Sequence, residues 1–542
     1  MPDIGRVAKE VSTKLFTART LAGAGILRPQ RPDHVLGAVR SLVRFGPTPA
    51  GGYGASAERY GGDTAIIDEL GTLTFREVHE RTNALAHGLA ASGIGEGDAV
   101  GVMCRNHRGF IEAVIACSKL GAHVLFLNTA FSGPQLTDVA KREDPKALIY
   151  DQEFEELIHD ASRRRKRFIA WHDPEAGKPK DPLLEDLSSS GDVAPVRPPS
   201  ERGKAIILTS GTTGTPKGAS RSQPKSLDPA AALLAMIPLK AREKTMIAAP
   251  MFHSWGYVHF TLGMSLSTTV VLSRKFDPEA TLSLTARHEC AALIVVPVMM
   301  QRILELPEET LKQYDLSKVR VVAVSGSALP GALSDRWMDL FGDNVYNLYG
   351  STEVAWASIA TPADLRAAPG TAGRPPHGTI VRLYDEDGQA VSKGQTGRIF
   401  VGNEMQFEGY TGGGNKDAID GLLSSGDVGH FDDAGRLFVD GRDDDMIVSG
   451  GENVFPAEVE DLLAGHDAIV EVAVFGVDDE QFGQRLKAVV VVRDGASIGE
   501  DEIKKHVKSN LAGYKVPRDV VFVDELPRTS TGKVLKRELK ES

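Results

Sequence analysis

Cysteine is nearly absent: the 542-residue chain has three, Cys104, Cys117 and Cys290. Each sits in an apolar stretch and no CxxC pair occurs. That excludes a disulfide framework and a cysteine-rich zinc site, and fits a reducing, cytoplasmic setting. An excess of positive charge is missing as well. Lys plus Arg number 62 against 73 Asp plus Glu, a net of −11, so no broad basic field argues for a nucleic-acid partner. The one dense basic run, Arg163-Arg164-Arg165-Lys166-Arg167, reads as a solvated helix face. Long apolar runs are missing too. The longest, from Cys290 to Met300, has 11 residues and contains Pro297, well short of the ~20 that span a bilayer. At the N-terminus, Lys9, Glu10, Lys14 and Arg19 precede a weakly apolar stretch, which makes a poor signal peptide. Val7, Val11, Leu15 and Leu21 align on one side of a helix that either packs on the body or lies at the inner face of a membrane. A homodimer is compatible with all of this.

What the chain does contain is organised in layers. Residues 1–50 read as an extension rich in Gly, Pro and Arg. Thr74-Phe75-Arg76-Glu77 is a capping box, and Phe75, Val78, Leu85 and Leu89 recur at helical spacing until about Gly93. Asp98–Met103 reads as a strand, Arg108–Leu120 as a helix and His123–Leu127 as a buried strand, a pitch that suggests α/β layers with largely parallel sheets. The last hundred residues form a small α+β unit. Pro456 opens a helix carrying Val459, Leu462 and Leu463; Ile469–Phe475 and Leu486–Val492 are strands; Ile503, Val507 and Leu511 mark a second helix; Asp519–Val523 is a last strand. The charged segment from Gly441 to Asp445 is a natural boundary, dividing a large domain over 51–442 from a small one over 443–542.

The most informative stretch is Thr209-Ser210-Gly211-Thr212-Thr213-Gly214-Thr215-Pro216-Lys217-Gly218, which follows the apolar strand Ala205–Leu208. Glycines allow close backbone approach to an anion, successive N–H groups make an anion-binding concavity, and hydroxyls and an ammonium suit a polyphosphate. The loop is not a Walker motif, because Lys217 lies between Pro216 and Gly218, and no GxGxxG occurs in the chain. P-loop ATPases and dinucleotide oxidoreductases are therefore disfavoured.

This loop resembles the signature of the adenylate-forming superfamily, which includes acyl-CoA synthetases, peptide-synthetase adenylation domains and beetle luciferases. Further motifs follow in the family's order. Tyr349-Gly350-Ser351-Thr352-Glu353 is similar to its YGxTE motif. The resemblance implies that Tyr349 stacks on adenine, Thr352 holds the α-phosphate and Glu353 binds Mg²⁺, a hard carboxylate for a hard cation. Asn347, Gly350 and Ser351 fall in the same nucleotide-binding set, as does Ser325-Gly326-Ser327, which resembles the loop lining adenine. Ser425-Gly426-Asp427 resembles the TGD motif, with Ser in place of Thr, and implies that Asp427 accepts the ribose hydroxyls. Arg442 matches a nucleotide-contacting arginine and Asp444 the hinge. Lys533, within Pro527–Lys533, matches the catalytic lysine of adenylation.

Met251-Phe252-His253-Ser254-Trp255-Gly256 is similar to the form found in acyl and aryl CoA ligases. It implies that His253 lies beside the carboxylate, with Trp255, Gly256 and Gly350 lining the acyl site. Ser449-Gly450-Gly451 resembles the border of the CoA tunnel. The stretch from Arg442 to Gly450 lacks the insertion of fatty acyl-AMP ligases, which favours CoA as acceptor. The implied fold is α/β: a large N-terminal domain of α/β sheet layers plus a small β-barrel-like part, then a smaller, mobile α+β C-terminal domain. The implied catalytic groups are Lys533, His253, Thr352 and Lys217. The implied activity is two-step: a carboxylic acid and ATP, with Mg²⁺, give an acyl adenylate and pyrophosphate, and CoA then takes the acyl group. A medium- or long-chain fatty acid is the favoured substrate. An aryl or short-chain acid is the alternative, and a fatty acyl-AMP ligase or a luciferase-like oxygenase lies further off.

Overall fold

The computed structural model describes residues 4–208, 217–220, 226–411, 413–443, 447–449, 452–454, 456–479, 483–511, 513–529 and 532–541. The chain forms two compact units that interleave in sequence. One comprises Met1–Val295, Arg302–Ala323 and Glu404–Asn415; the other comprises Val296–Gln301, Val324–Asn403 and Lys416–Ser542.

In the first unit the expected layers are present. Ala205–Leu208, His123–Phe126, Ala99–Met103, Ala147–Asp151 and Lys166–Trp171 run parallel in that spatial order. Gly218–Ser220 and Gly409–Tyr410 extend the sheet antiparallel. A second sheet places Ala292–Val295, Lys244–Ile247, Thr269–Val271 and Thr64–Asp68 in parallel, closed by antiparallel Gly71–Thr74. The capping box at Thr74 and Glu77 forms in both directions and opens the helix Phe75–Ala91, which buries Phe75, Val78, Leu85 and Leu89. The helix Arg108–Leu120 carries Cys117 in its buried face; Cys104 and Cys290 are buried as well.

Residues 1–50, read as an extension with an amphipathic helix, hold the helices Ile4–Gly23 and Pro32–Phe45 and the start of Pro49–Tyr60. Glycine is a poor helix former, but in the last of these packing overrides propensity. A side chain at Gly51 would meet the Gly46 carbonyl at 1.9 Å, one at Gly52 the Met264 Cβ at 2.9 Å and one at Gly54 the Ser41 Oγ at 2.2 Å. The basic run is not a helix face. Arg164 has φ +66°, and the strand Lys166–Trp171 begins two residues later. Arg165 is half-buried and bonds the carbonyls of Pro145, Ala161 and Ala140 together with Asp144.

Helix Ile4–Gly23 meets helix Asp228–Met236, with Thr17 Oγ1 donating to Asp228 at 2.5 Å, and leaves Val11 and Leu15 exposed. Among the described residues no helix is long and apolar enough to cross a membrane.

The second unit holds the antiparallel pair Val345–Tyr349 and Ser358–Ala360. It also holds an antiparallel sheet of Ile380–Tyr384, Gly397–Gly402, Leu422–Phe431, Ala418–Ile419 and Leu437–Arg442, around a core that includes Val354, Ala357, Leu383, Ile399, Val401 and Leu437. The α+β part at the C-terminal end pairs Ile469–Asp479 with Gly483–Val492 and adds Asp519–Phe522 in parallel. Val459, Leu463, Ile503 and Val507 from its two helices are buried in one core with Ile469, Val474 and Leu486.

Candidate active site

Strand pairing brings the nucleotide-site candidates of the second unit together. Asp427 and Arg442 are register partners on adjacent antiparallel strands, and Arg442 Nη1 lies 3.4 Å from Asp427 Oδ1. Tyr349 ends its strand with the hydroxyl 2.5 Å from Asp427 Oδ2 and 3.1 Å from Ser425 Oγ. Burial pushes the Asp427 carboxyl up, and donation from Tyr349 with the charges of Arg442 and Lys533 only partly restores its acidity. The Tyr349 phenol is pushed well above its ordinary value, first by burial and then by the carboxylate beside it. Ser425, standing where the family motif has Thr, donates to the Ile399 carbonyl at 3.2 Å and accepts from the Asp427 N–H at 3.2 Å. A hydroxyl of either residue type would hold the carboxylate-bearing turn.

Lys533 belongs to the same unit, near enough for its charge to act on Asp427. Its backbone is fixed on both sides: Lys533 N–H donates to Thr529 Oγ1 at 3.1 Å, and Thr529 N–H donates to the Lys533 carbonyl at 2.8 Å. Gly532 before it has φ +80°, and a Cβ there would lie 2.2 Å from Val298 Cγ1. Gln301 on the same helix as Val298 donates to the Val470 carbonyl at 3.1 Å. The turn that carries Lys533 therefore seats directly on the helix Pro297–Leu304.

At Gly350 a side chain would meet the Ala355 carbonyl at 2.1 Å, and Ala355 itself has φ +64°. The turn Gly350–Ala355 is tight, which accounts for the glycine without any ligand. Ser351 Oγ accepts from the N–H groups of Glu353 and Val354 and donates to Glu353 Oε2 at 3.0 Å. Thr352 and Glu353 are half-buried. Asn347 is buried on the strand below, Ser325 is buried, and Gly326 (φ +102°) and Ser327 are exposed.

In the first unit Leu208 pairs with Gly218, so the two ends of the phosphate loop are clamped in a hairpin. Thr209, Ser210, Gly211, Thr212, Thr213 and Gly214 lie outside the described residues. Lys217 is exposed, its ammonium 5.2 Å from the Tyr410 ring centre. His253 precedes the helix Ser254–Leu266. The residue keeps some exposed surface, yet its ring is crowded by protein, and that desolvation pushes its pKa down to about 4. At neutral pH it is an uncharged imidazole. Trp255 is buried and donates Nε1–H to the Val295 carbonyl at 3.0 Å. A side chain on Gly256 would strike the Pro250 carbonyl at 2.4 Å. Ser449 pairs with Glu452 and Gly483 through its backbone, whereas Gly450, Gly451 and the hinge position Asp444 lie outside the described residues.

One supporting residue escapes sequence reasoning. Buried Asn106 donates to the carbonyls of Ile247 and Ala249 and accepts from the Met251 N–H, which fixes the turn leading to His253. Its partners are more than 140 residues away along the chain, so no local pattern marks it.

Residues 54–411 match the family model for "AMP-binding enzyme", and residues 458–533 match "AMP-binding enzyme C-terminal domain". The chain belongs to the AMP-binding enzyme family. This AMP-binding enzyme is 34% identical over 491 residues to a feruloyl-CoA synthase of an Amycolatopsis species, covering 90% of this chain and 95% of that protein. It is 33% identical to an indoleacetate–CoA ligase of Aromatoleum aromaticum, covering 89% and 95%. It superposes on the crystal structure of ATP-bound MatB from Rhodopseudomonas palustris with a TM-score of 0.78 at 28% identity, covering 88% of this chain and 95% of that one. The mixed α/β architecture and the smaller C-terminal domain are thus those of the adenylate-forming fold, and the enzyme is an AMP-forming CoA ligase.

Proposed function

We propose that this ligase activates an aromatic carboxylic acid, carried by an aryl or arylalkenyl group, and transfers it to CoA. The medium- or long-chain fatty acid favoured on the sequence alone gives way, because the feruloyl and indoleacetate enzymes above act on aromatic acids. For the chemistry, the supporting observation is the convergence of Tyr349, Arg442 and Lys533 on the buried Asp427 carboxylate.

A carboxylate is a poor acyl donor because its leaving group would be an oxide. Attack of its oxygen on the α-phosphorus of ATP forms a mixed anhydride and expels pyrophosphate; AMP then leaves well. The step demands neutralisation of phosphate charge more than a protein nucleophile. Asp427 would accept the ribose hydroxyls and Tyr349 would face the base. Thr352, Lys217 and Lys533 supply donors to the phosphate and carboxylate oxygens. The half-buried Glu353 carboxylate, with hydroxyls on the two preceding residues, is the hard oxygen donor set that suits magnesium. Bound there, the ion would spread the charge of the departing pyrophosphate. His253, held neutral by desolvation, would sit beside the acid without competing for its charge.

In the second step the CoA thiol, reactive as thiolate, attacks the adenylate carbonyl. Lys533 must then withdraw, so residues 443–542 act as a lid turning about Asp444, with Ser449, Gly450 and Gly451 bordering the thiol's path. The test is CoA-dependent AMP release across benzoates, cinnamates, indoleacetate, decanoate and oleate. Turnover of the aromatic acids at least ten times faster is expected; a reversed order restores the fatty-acid reading.

Helix Pro32–Phe45 supports a further, peripheral contact. It exposes Val35, Leu36, Val39, Leu42 and Val43 along one stripe, and residues 1–45 hold eight basic and three acidic side chains in a chain of net charge −11. An anionic bilayer surface is the complementary partner. Flotation with phosphatidylglycerol vesicles, lost in Val39→Asp and in high salt, is expected. No flotation, or a dimer that Val39→Asp dissociates, would instead make the stripe a contact between proteins.

A further inference from the structure

The helix Ser254–Leu266 is apolar almost all round, with Trp255, Phe260, Leu262, Met264 and Leu266 buried along it. One polar side chain is sealed among them. His259 is 3% exposed, and neither Nδ1 nor Nε2 has a hydrogen-bond partner. Among the described residues it is the only side chain left unsatisfied at two atoms. The protein treats its other deeply buried histidine differently: His107 places Nε2 2.7 Å from Asp151 and accepts the Gly109 N–H at Nδ1. A buried donor and a buried acceptor with nothing to meet are destabilising and call for a cause.

Position supplies one. His259 lies four residues after Trp255, and its ring meets the indole edge-on at 4.4 Å and 84°. The indole N–H is already taken by the Val295 carbonyl, so Trp255 is a fixed wall with no polar group left to offer. Along the helix axis His259 stands about 9 Å beyond His253. That is comparable with the distance from the carboxyl carbon to the para oxygen of a 4-hydroxycinnamate. Desolvation holds the ring uncharged, with a pKa near 3, so it offers one N–H and one lone pair and no charge.

We propose that His259 is a specificity-determining residue of the acyl site, whose imidazole hydrogen-bonds a hydroxyl on the acid distal to its carboxylate. This rests on the reading that the acyl group lies along the Trp255 side of this helix. It does not require the acid to be aromatic. A site built around a hydrogen bond to a substrate hydroxyl rejects the analogue that lacks it, because its own polar atoms are then left unpaired.

The test uses matched acids that differ by one hydroxyl: cinnamate with 4-hydroxycinnamate, and nonanoate with 9-hydroxynonanoate. The wild-type enzyme is expected to favour the hydroxylated member of the series it accepts by roughly 10–10²-fold in kcat/KM, the effect of leaving one buried polar group unsatisfied. His259→Leu should abolish that ratio while retaining turnover of the plain acid, and His259→Gln, which keeps a donor and an acceptor, should retain part of it. A wild-type ratio near one in both series would overturn the proposal, since a buried water would then satisfy the ring. Equal loss on all four acids in a folded His259→Leu would make the residue structural and overturn it too. If His259→Leu does not fold, the wild-type and His259→Gln ratios decide. Turnover confined to the nonanoate pair would sink the aromatic reading and leave His259 still tested by that pair.

Discussion

Replacement of Lys533 by alanine is expected to slow acyl-adenylate formation by roughly 10²–10⁴-fold, the size of effect that one preorganised charge has on a phosphoryl transition state. The two half-reactions should separate. Thioester formation from supplied acyl adenylate should stay within a few-fold of wild type, because in the proposed cycle the lysine would have withdrawn by then. Pyrophosphate exchange reads the first step and thioester release from adenylate the second. Equal losses in both would remove Lys533 from the role assigned to it. The seat of the lysine offers an independent check. A Cβ at Gly532 would sit 2.2 Å from Val298, at a residue whose φ of +80° already disfavours a side chain. Gly532→Ala should therefore share the phenotype of the lysine variant with the ammonium still present.

The second large effect belongs to Asp427. Its carboxylate is buried, bonded by Tyr349 at 2.5 Å and faced by Arg442 at 3.4 Å. Asp427→Ala removes the acceptor proposed for two ribose hydroxyls. A hydrogen bond to a charged group contributes about 1.5–3 kcal/mol, so kcat/KM for ATP should fall by roughly 10²–10³-fold while KM for the acid changes little. Arg442 would also be left without its cross-strand carboxylate, and some loss of stability is expected alongside. Thermal unfolding must therefore be measured with the kinetics. An unaltered KM for ATP in a folded Asp427→Ala would put the ribose elsewhere.

Local rules made much of this fold legible. The capping box at Thr74, the apolar spacing from Phe75 to Leu89, the strand before the phosphate loop and the helix opened by Pro456 all depend on neighbours within a turn or two, and each stands where the sequence puts it. The glycine-rich helix Pro49–Tyr60 was not legible, since what rewards its glycines is contact with Gly46, Ser41 and Met264. Nor was the end of the basic run, where Arg165 serves carbonyls distant in sequence. In the candidate site, motif residues such as Asp427, Arg442 and Tyr349 could be named individually. Their mutual contacts arise from strand register, which no spacing of five or ten residues reveals. His259 stayed hidden for a different reason. At helical spacing from Trp255 it reads as ordinary core, and only the absence of any partner for its nitrogens distinguishes it.

The three cysteines noted at the outset have a practical corollary. All are buried, and desolvation raises Cys117 and Cys290 to about 12 and Cys104 well above its usual value. At assay pH essentially none of them is ionised, so a chromogenic disulfide reagent should titrate free coenzyme and leave the native enzyme untouched. Consumption of CoA could then be followed continuously by absorbance, with no correction for the protein's own sulfur.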